Sequence, residues 1–346
     1  MEEIILVTGG AGYIGSTTCR LLQKKGYSTV AYDNLSTGHR YAVKCGFFEE
    51  GDITDIDRLR EVFEKYKFAG VIHFAANALV GESMREPSLY YWNNVVGSLN
   101  LLKVMKEYGV RNIVFSSSCA VYGTPLTVAG KPSMQPITEK MPKNPINPYG
   151  RTKLTVERAL NDYHEAHGFG FVALRYFNAA GADVESEHGE DHQPETHLIP
   201  NVIETALHRR ERIDIFGSDF PTLDGTAVRD YIHVKDLARA HLLALQFLES
   251  HKKTPTRLCV NLGTGQGYSV SEIIDSVEAT TREKIIRSIR ESRAGDPPYL
   301  VADNALAKKL LGWEPKHSDL QNIISTALLW HQHFLPEHRE MTEVYI

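Results

Sequence analysis

A β-branched run, Ile4–Val7, opens directly into Thr8-Gly9-Gly10-Ala11-Gly12-Tyr13-Ile14-Gly15. A helical stretch follows to Lys25, where Gly26 is the C-terminal stop. Gly10-x-Gly12-x-x-Gly15 between a strand and a helix fixes much of the fold. The missing side chains permit a tight turn, a close backbone approach to a pyrophosphate, and close helix–strand packing. The helix N-terminus then presents free N–H groups to phosphate. The next strand, Ser28–Asp33, ends about 20 residues on in a carboxylate that can accept from ribose hydroxyls. That carboxylate repels a 2′-phosphate, so the pattern favours NAD over NADP. An ordinary glycine turn in an α/β protein would need no acid at this place.

Strands and helices alternate beyond this point. Thr54 with Asp57 reads as a capping box, and Leu59, Val62, Phe63 and Tyr66 then fall on one helical face. Gly70–Ala75, Arg111–Ser116 and Gly170–Tyr176 are strand-like, with helix-length segments at about Pro87–Tyr108 and Tyr149–His167. The alternation predicts an α/β fold, a doubly wound parallel sheet of the Rossmann type. After about residue 178 the texture changes. Asp183–His197 is polar and acidic and reads as a loop; Val234–Glu249 reads as a helix, and Leu258–Leu262 as one more strand returning to the first sheet. Pro297-Pro298 excludes a regular helix over Glu291–Asp303. At roughly 150 residues per domain, 346 residues suggest two domains. We expect a nucleotide-binding unit of residues 1–178 plus about 231–263. A smaller, discontinuous C-terminal α/β substrate domain takes about 179–230 plus 264–346.

Tyr149-Gly150-Arg151-Thr152-Lys153 places Tyr149 and Lys153 four apart on one helical face. A free tyrosine is a poor base at neutral pH, and a nearby ammonium favours its phenolate. Such a pair can move a hydroxyl proton while a hydride leaves the same carbon. YxxxK is frequent by chance. Its weight here comes from the glycine fingerprint upstream and from Ser116-Ser117-Ser118 at a strand end between them, where a serine can orient a substrate hydroxyl.

Several features have bland readings. His164, Glu165 and His167 lack the spacing of a metal helix, and His188, Asp191 and His192 lie in an acidic loop, so no metal is expected. Cys119 has no evident base and reads as a small buried residue. Phe63, Tyr66, Leu101, Leu102 and Met105 read as core. Lys plus Arg number 38 against 43 Asp plus Glu, which argues against a nucleic-acid partner. No apolar run approaches the ~18 residues of a membrane span. Acids at Glu2 and Glu3 stand where a secretory leader carries bases. The cysteines Cys19, Cys45, Cys119 and Cys259 form no CxxC pair. A reduced, cytoplasmic protein is expected.

The longer motifs resemble the extended short-chain dehydrogenase/reductases, and within them the UDP-glucose 4-epimerase (UDP-galactose 4-epimerase) family. The matching segments are Val7–Ser16, Asp33–Ser36, Val71–Ala75, Val80–Ser83, Tyr90–Val95, Val114–Gly123, Pro148–Lys153, Leu174–Asn178, Ile215–Asp219 with Pro221, and Asp224–Val234. They span essentially the whole chain. The last, DGTAVRDYIHV, is far more diagnostic than either short motif. The resemblance implies NAD-dependent interconversion of UDP-galactose and UDP-glucose in galactose metabolism, by transient oxidation at sugar C4 through a 4-keto intermediate. It implies that Gly9, Gly12, Tyr13, Ile14 and Gly15 hold the pyrophosphate, Asp33 and Asn34 the adenosine ribose, and Asp52 and Ile53 the adenine. Phe74, Ala75, Asn93, Ser116 and Tyr176 would line the nicotinamide half, with Tyr149 and Lys153 contacting the cofactor as well. Ser118, Tyr149 and Lys153 would be catalytic. Ser118, Tyr149, Asn178, His197, Leu198, Phe216, Arg229, Arg293 and Asp296 would hold the UDP-sugar, the two arginines being apt diphosphate partners. A homodimer through helices near 87–108 and 149–167 is implied too.

The chain departs from this pattern in places. Ala78 stands where the family often has lysine, the stretch from Asn34 to Gly51 is short, and Thr124–Lys140 is somewhat long. Four residues past Asp296, where the family has a tyrosine or a small residue gating sugar size, stands Leu300, with Tyr299 beside it. Nucleotide-sugar dehydratases and decarboxylases of the same fold put an acid just after the strand-end Ser/Thr, where Cys119 and Ala120 stand here. A keto-reductase would release its cofactor. A non-catalytic NAD sensor would have no use for Ser118, Tyr149 and Lys153 together.

Overall fold

A computed structural model describes residues 4–44, 46–127, 129–293 and 296–336; Cys45, the first three residues and the stretch from 337 lie outside them. Six strands form in chain order, β1 (Ile4–Thr8), β2 (Ser28–Asp33), β3 (Phe47–Glu50), β4 (Phe68–His73), β5 (Asn112–Ser118) and β6 (Gly170–Tyr176). A later strand, Arg257–Leu262, joins them beyond β6. The seven make one wholly parallel sheet, ordered Arg257–Leu262, β6, β5, β4, β1, β2, β3. Chain direction through the sheet reverses between β1 and β4, the place where doubly wound sheets open a crevice at their carboxyl ends.

The α-helices of the described residues are α1 (Tyr13–Lys24), α2 (Ile56–Lys65), α3 (Val80–Arg85), α4 (Pro87–Tyr90), α5 (Gly97–Glu107), α6 (Pro148–His167), α7 (Leu198–Ala206), α8 (Val234–Ser250), α9 (Val270–Thr281), α10 (Ala305–Leu311) and α11 (Leu320–Leu329). Side-chain alternation sorts the sheet into two cores. Ile5, Val7, Ala31 and Val172 meet Leu22 of α1, α8, and Ala307, Leu311 and Trp313. Leu6, Val30, Ile113 and Phe171 meet Leu59, Val62 and Phe63 of α2, Leu101, Leu102 and Met105 of α5, and Val156 and Leu160 of α6. The expected core residues are therefore buried, except that Tyr66 is half-buried, with its hydroxyl on Glu49.

Asp55, and not the expected Thr54, caps α2 by accepting from the Asp57 and Arg58 amides at 3.1 and 3.0 Å. Thr54 turns back to Asp52 instead, at 2.7 Å. The segment Pro87–Tyr108 is not one α-helix, because a wide turn at Tyr91–Val96 separates α4 from α5. That turn directs Asn94 inward to Thr152 at 3.1 Å. Strand β3 carried no usable alternation. Phe47 is exposed, while Glu49 points in and pairs with Arg58 and Lys65, an inward charge of the kind that guards sheet edges.

A third core joins Ile199, Val202 and Ile203 of α7 to Ile213, Ile215, Ile273, Ile274, Ile323 and Ile324. Small sheets accompany it. Asn178–Ala180 pairs in parallel with Tyr231–His233, and Ile213–Phe216 with Arg287–Arg290. Val228–Arg229 lies between Tyr268–Ser269 and Tyr299–Leu300. The acidic segment Asp183–His197 lacks strands and α-helix as expected, yet it is not a solvated loop: Asp183, Ser186, His188, Glu190 and Asp191 are buried. No helix of the described residues is long and apolar enough to cross a membrane.

Candidate active site

The glycine turn after β1 lies at the chain reversal. A Cβ on Gly9 would come 2.7 Å from the Ala75 amide nitrogen, and Gly9 has φ +71°. A Cβ on Gly15 would fall 2.1 Å from the Gly9 carbonyl oxygen. Only glycine fits these two positions. Gly12 begins α1 with no side-chain cap, and the first turn carries no acid. The leading amides of a 12-residue helix are thus left for an anion, which fits a dinucleotide pyrophosphate. Tyr13 and Ile14 open the helix, and Tyr13 donates its hydroxyl to the Gly181 carbonyl.

Asp33 closes β2. Its carboxylate accepts from the Ala11 and Leu35 amides, each at 2.9 Å, which fixes it beside the turn. Burial raises its pKa, opposed by these hydrogen bonds. Asn34 donates to Asp52 at 2.7 Å, and Ile53 is buried against Gly97, so the four expected adenosine residues form one edge. Phe74 and Ala75 follow β4. The Phe74 ring lies 4.4 Å from that of His241. Asn93 donates to Asn94 at 3.0 Å. Ser116 and Tyr176 exchange a 2.6 Å hydrogen bond across β5 and β6.

Asn147 caps α6 by accepting from the Gly150 amide at 2.8 Å, and Pro148 takes the first helical position. Gly150 lets the helix approach the strand end closely, since a Cβ would sit 2.5 Å from the Ala120 carbonyl oxygen. That approach brings Tyr149 beside Ser118, which acts to lower the pKa of its hydroxyl. Lys153 donates to the Ser116 carbonyl at 2.7 Å, and its Nζ lies 5.8 Å from the Tyr149 ring centre. Burial pushes Lys153 down to about 7, opposed by Glu157. Burial raises Tyr149, helped by Tyr176, while Ser118 lowers it. Burial outweighs the expected help from lysine, since it penalises both charged forms.

The residues expected at the UDP-sugar come from the smaller sheets. Asn178 donates to the Asp230 carbonyl at 3.2 Å. Arg229 pairs with Asp296, and the Arg293 guanidinium lies 3.9 Å above the Phe216 ring. His197 is the N-cap residue of α7, and Leu198 its first residue. The discarded metal trios separate. His164 bonds the Phe169 carbonyl and Glu165 pairs with Arg257. His188 meets Ser16 at 2.6 Å, and Asp191 accepts from Tyr41 at 2.7 Å. Cys119 is half-buried, and burial pushes its thiol up to about 12, so it is no nucleophile.

Motifs alone did not disclose the supports. Glu157 accepts from Arg175 at 2.8 and 2.6 Å and from Ser117 at 2.6 Å, all buried behind Lys153. Asp230 is fully buried and accepts from Thr264, Gly265 and Ala302, and burial raises it to about 6 against these bonds. Asp236 accepts from the Lys316 and His317 amides and from Ser318. The signal for Asp230 was in the Asp224–Val234 segment, where an acid directly before the buried Tyr231-Ile232 demands buried donors. In the loop before α7, Glu190, His192, Glu195 and His197 converge. Burial works against charge on His192, but Glu190 and Glu195 hold it up at about 10.

Comparison with known proteins shows the family. The model of the NAD dependent epimerase/dehydratase family matches residues 5–263. A UDP-glucose 4-epimerase of Rhizobium meliloti (strain 1021) is 49% identical over 327 residues, 94% of this chain and 96% of that protein. The crystal structure of the UDP-glucose 4-epimerase of Brucella ovis in complex with NAD has a TM-score of 0.89 at 52% identity, covering 94% of this chain and 97% of that one. The enzyme of Bifidobacterium longum, in complex with NAD+ and UDP, gives 0.87 at 38% identity, covering 95% and 98%. The chain belongs to the NAD dependent epimerase/dehydratase family, among its UDP-glucose 4-epimerases.

Proposed function

We infer that this chain is an isomerase that interconverts UDP-galactose and UDP-glucose, with NAD as resident cofactor, through a 4-keto sugar. The observation that carries this reading is the meeting of Ser118 and Tyr149, with Lys153 behind them, at the carboxyl edge that also bears the glycine cradle. The glycines Gly9, Gly12 and Gly15, the α1 amides, Asp33, Asn34, Asp52 and Ile53 hold the cofactor's adenosine and pyrophosphate. Phe74, Ala75, Asn93, Ser116 and Tyr176 border its nicotinamide half. When bound, NAD supplies a reversible acceptor for the C4 hydride.

The remaining work falls to the chain. Arg229 and Arg293 anchor the diphosphate, leaving the sugar free to turn over between the two hydride transfers. Tyr149, with Ser118 orienting the sugar O4, takes the hydroxyl proton and later returns it. Cys119 and Ala120 supply no acid for C5 chemistry, which disfavours a dehydratase. Purified protein mixed with UDP-galactose, without added oxidant, is expected to form UDP-glucose; no conversion would sink the reading.

The division into a cofactor unit (1–178 plus about 231–263) and a sugar unit (about 179–230 plus 264–346) is part of this proposal, supported by the separate third core. So is a homodimer, supported by the exposed Met84, Leu89, Tyr91, Trp92 and Leu99 along α3–α5. Cytoplasmic placement is supported by the free thiols of Cys119 and Cys259.

Two expected outcomes follow from the lining. Apo-protein reconstituted with NAD should be active and with NADP nearly inactive. The Asp33 carboxylate facing a 2′-phosphate is a buried like-charge contact, worth several kcal/mol. Comparable activity with NADP would refute this role. Leu300 packs onto the cluster of Val121, Tyr122, Leu154 and Phe177, which Cys119 also joins beside Ser118. Branched but without a ring, it should admit UDP-N-acetylglucosamine weakly. Leu300→Tyr is expected to remove that activity and spare the simple hexoses, as kcat/KM for both sugars would report. No N-acetyl activity in the wild type would place the gate elsewhere, with Tyr299 the next residue to vary.

A further inference from the structure

Among the described residues, one group of three or more His, Cys, Asp or Glu side chains gathers its donor atoms tightly. It is Glu190, His192, Glu195 and His197, whose donors all lie within 4.8 Å of one another. His192 Nδ1 is 3.2 Å from Glu190 Oε1 and 3.7 Å from Glu195 Oε2. His197 Nδ1 is 3.7 Å from Glu195 Oε1 and also meets Glu190 Oε1. Both imidazoles turn the same nitrogen toward the same two carboxylates. We propose that these four side chains bind one divalent cation of the zinc class.

Four donors at bond lengths of about 2.0–2.2 Å from one tetrahedral centre stand roughly 3.3–3.6 Å apart, so binding requires the close His197–Glu190 contact to open and the widest pairs, now within 4.8 Å, to draw in. Hydrogen bonding satisfies the cluster unevenly: Glu195 Oε1 accepts from the Thr196 and His197 amides at 2.7 and 2.8 Å, and His197 bonds Glu190, but His192 is left out. Two imidazoles crowd one oxygen of Glu190, whose side chain is 5% exposed, and His192 Nδ1 is buried without a hydrogen bond of good geometry. A single cation among the four atoms removes both difficulties. Imidazole donors suit zinc, copper, iron or nickel, whereas magnesium, calcium and manganese prefer oxygen donors. Four protein donors make a closed set of the structural kind. A cavity lined by Glu190, His192, Glu195, Asn201, Glu204 and His331 opens beside the cluster and gives an entry path.

The position gives the cation a role. All four ligands lie in one eight-residue stretch that ends at α7. The residues just before and within it touch the cofactor side: His188 reaches Ser16 of α1, and Asp191 holds His39 and Tyr41. A bound cation would lock this stretch in the shape that makes those contacts. His197 also belongs to the proposed sugar-binding set, so the test uses the other ligands, and its main readout is metal content, independent of turnover.

The NAD-loaded full chain is stripped with a chelator, dialysed against Zn2+ and then against metal-free buffer. Zinc is counted by elemental analysis and its shell read by X-ray absorption. The wild type is expected to keep one zinc per chain, with imidazoles in its first shell. Its Tm should rise by about 4 °C when zinc is present at 100 times its Kd. His192→Gln/Glu195→Gln should keep less than a tenth as much zinc, with circular dichroism showing it folded. No retained zinc in the wild type, zinc without imidazole neighbours, or equal zinc in the folded double variant would overturn the proposal. Should the variant fail to fold, the wild-type stoichiometry and shell still decide it.

Discussion

Replacing Tyr149 by phenylalanine is expected to lower kcat by roughly 10²–10⁴, the usual worth of a positioned proton-transfer group. The fold and bound NAD should survive. The α6 start is held by Asn147, Pro148 and the close approach at Gly150, none of which involves the phenolic oxygen. The ring remains to fill its place, and the loss concerns the hydroxyl's interaction with Ser118. Turnover of UDP-galactose should therefore fall while NAD content and Tm stay near those of the wild type. A variant retaining more than about a tenth of wild-type kcat would show that another group carries the proton.

The largest expected effect on stability lies one layer behind. Arg175→Met would strand Glu157, whose carboxylate is 4% exposed and keeps its Ser117 partner while losing both guanidinium bonds. Breaking a buried pair from one side costs about 3–5 kcal/mol, because the remaining charge keeps its desolvation cost. Replacing both partners, Arg175→Met with Glu157→Leu, should recover most of this. Urea denaturation of the three proteins measures it. A loss below about 1 kcal/mol in the single variant would mean that Glu157 takes up a proton or finds another donor.

The central sheet was legible from the sequence because each of its buried strands is an apolar run flanked by glycines, acids or serines. β2 and β6 were anticipated to the residue. β3 was not, since its exposed Phe47 and inward Glu49 invert the usual pattern and make sense only beside Arg58 and Lys65. The cap of α2 slipped by one residue because Thr54 and Asp55 are both good caps, and Asp52 captures the first. For the site, the glycines, Asp33 and the Tyr149–Lys153 spacing follow from local geometry. Arg175 and Glu157 are 18 residues apart and meet only once α6 lies against the sheet. The 183–197 stretch looked solvated by composition. Its charges are buried because they answer one another, as Glu190 does with His192 and His197, and composition does not record pairing.

The seven-stranded sheet also has a temporal meaning. Its outermost strand beside β6 is Arg257–Leu262, and the face that includes α1 and α8 is closed by Ala307, Leu311 and Trp313, whose indole N–H donates to the Asp236 carbonyl. As the chain leaves the ribosome, the first 178 residues emerge with one sheet edge unpaired and one apolar face uncovered. That edge waits for 78 further residues, 179–256, before its partner strand begins at Arg257, and the face waits longer still for its tryptophan. A truncation before Arg257 therefore would leave the nascent protein exposed to strand pairing with its neighbours, whatever the state of the residues that bind NAD.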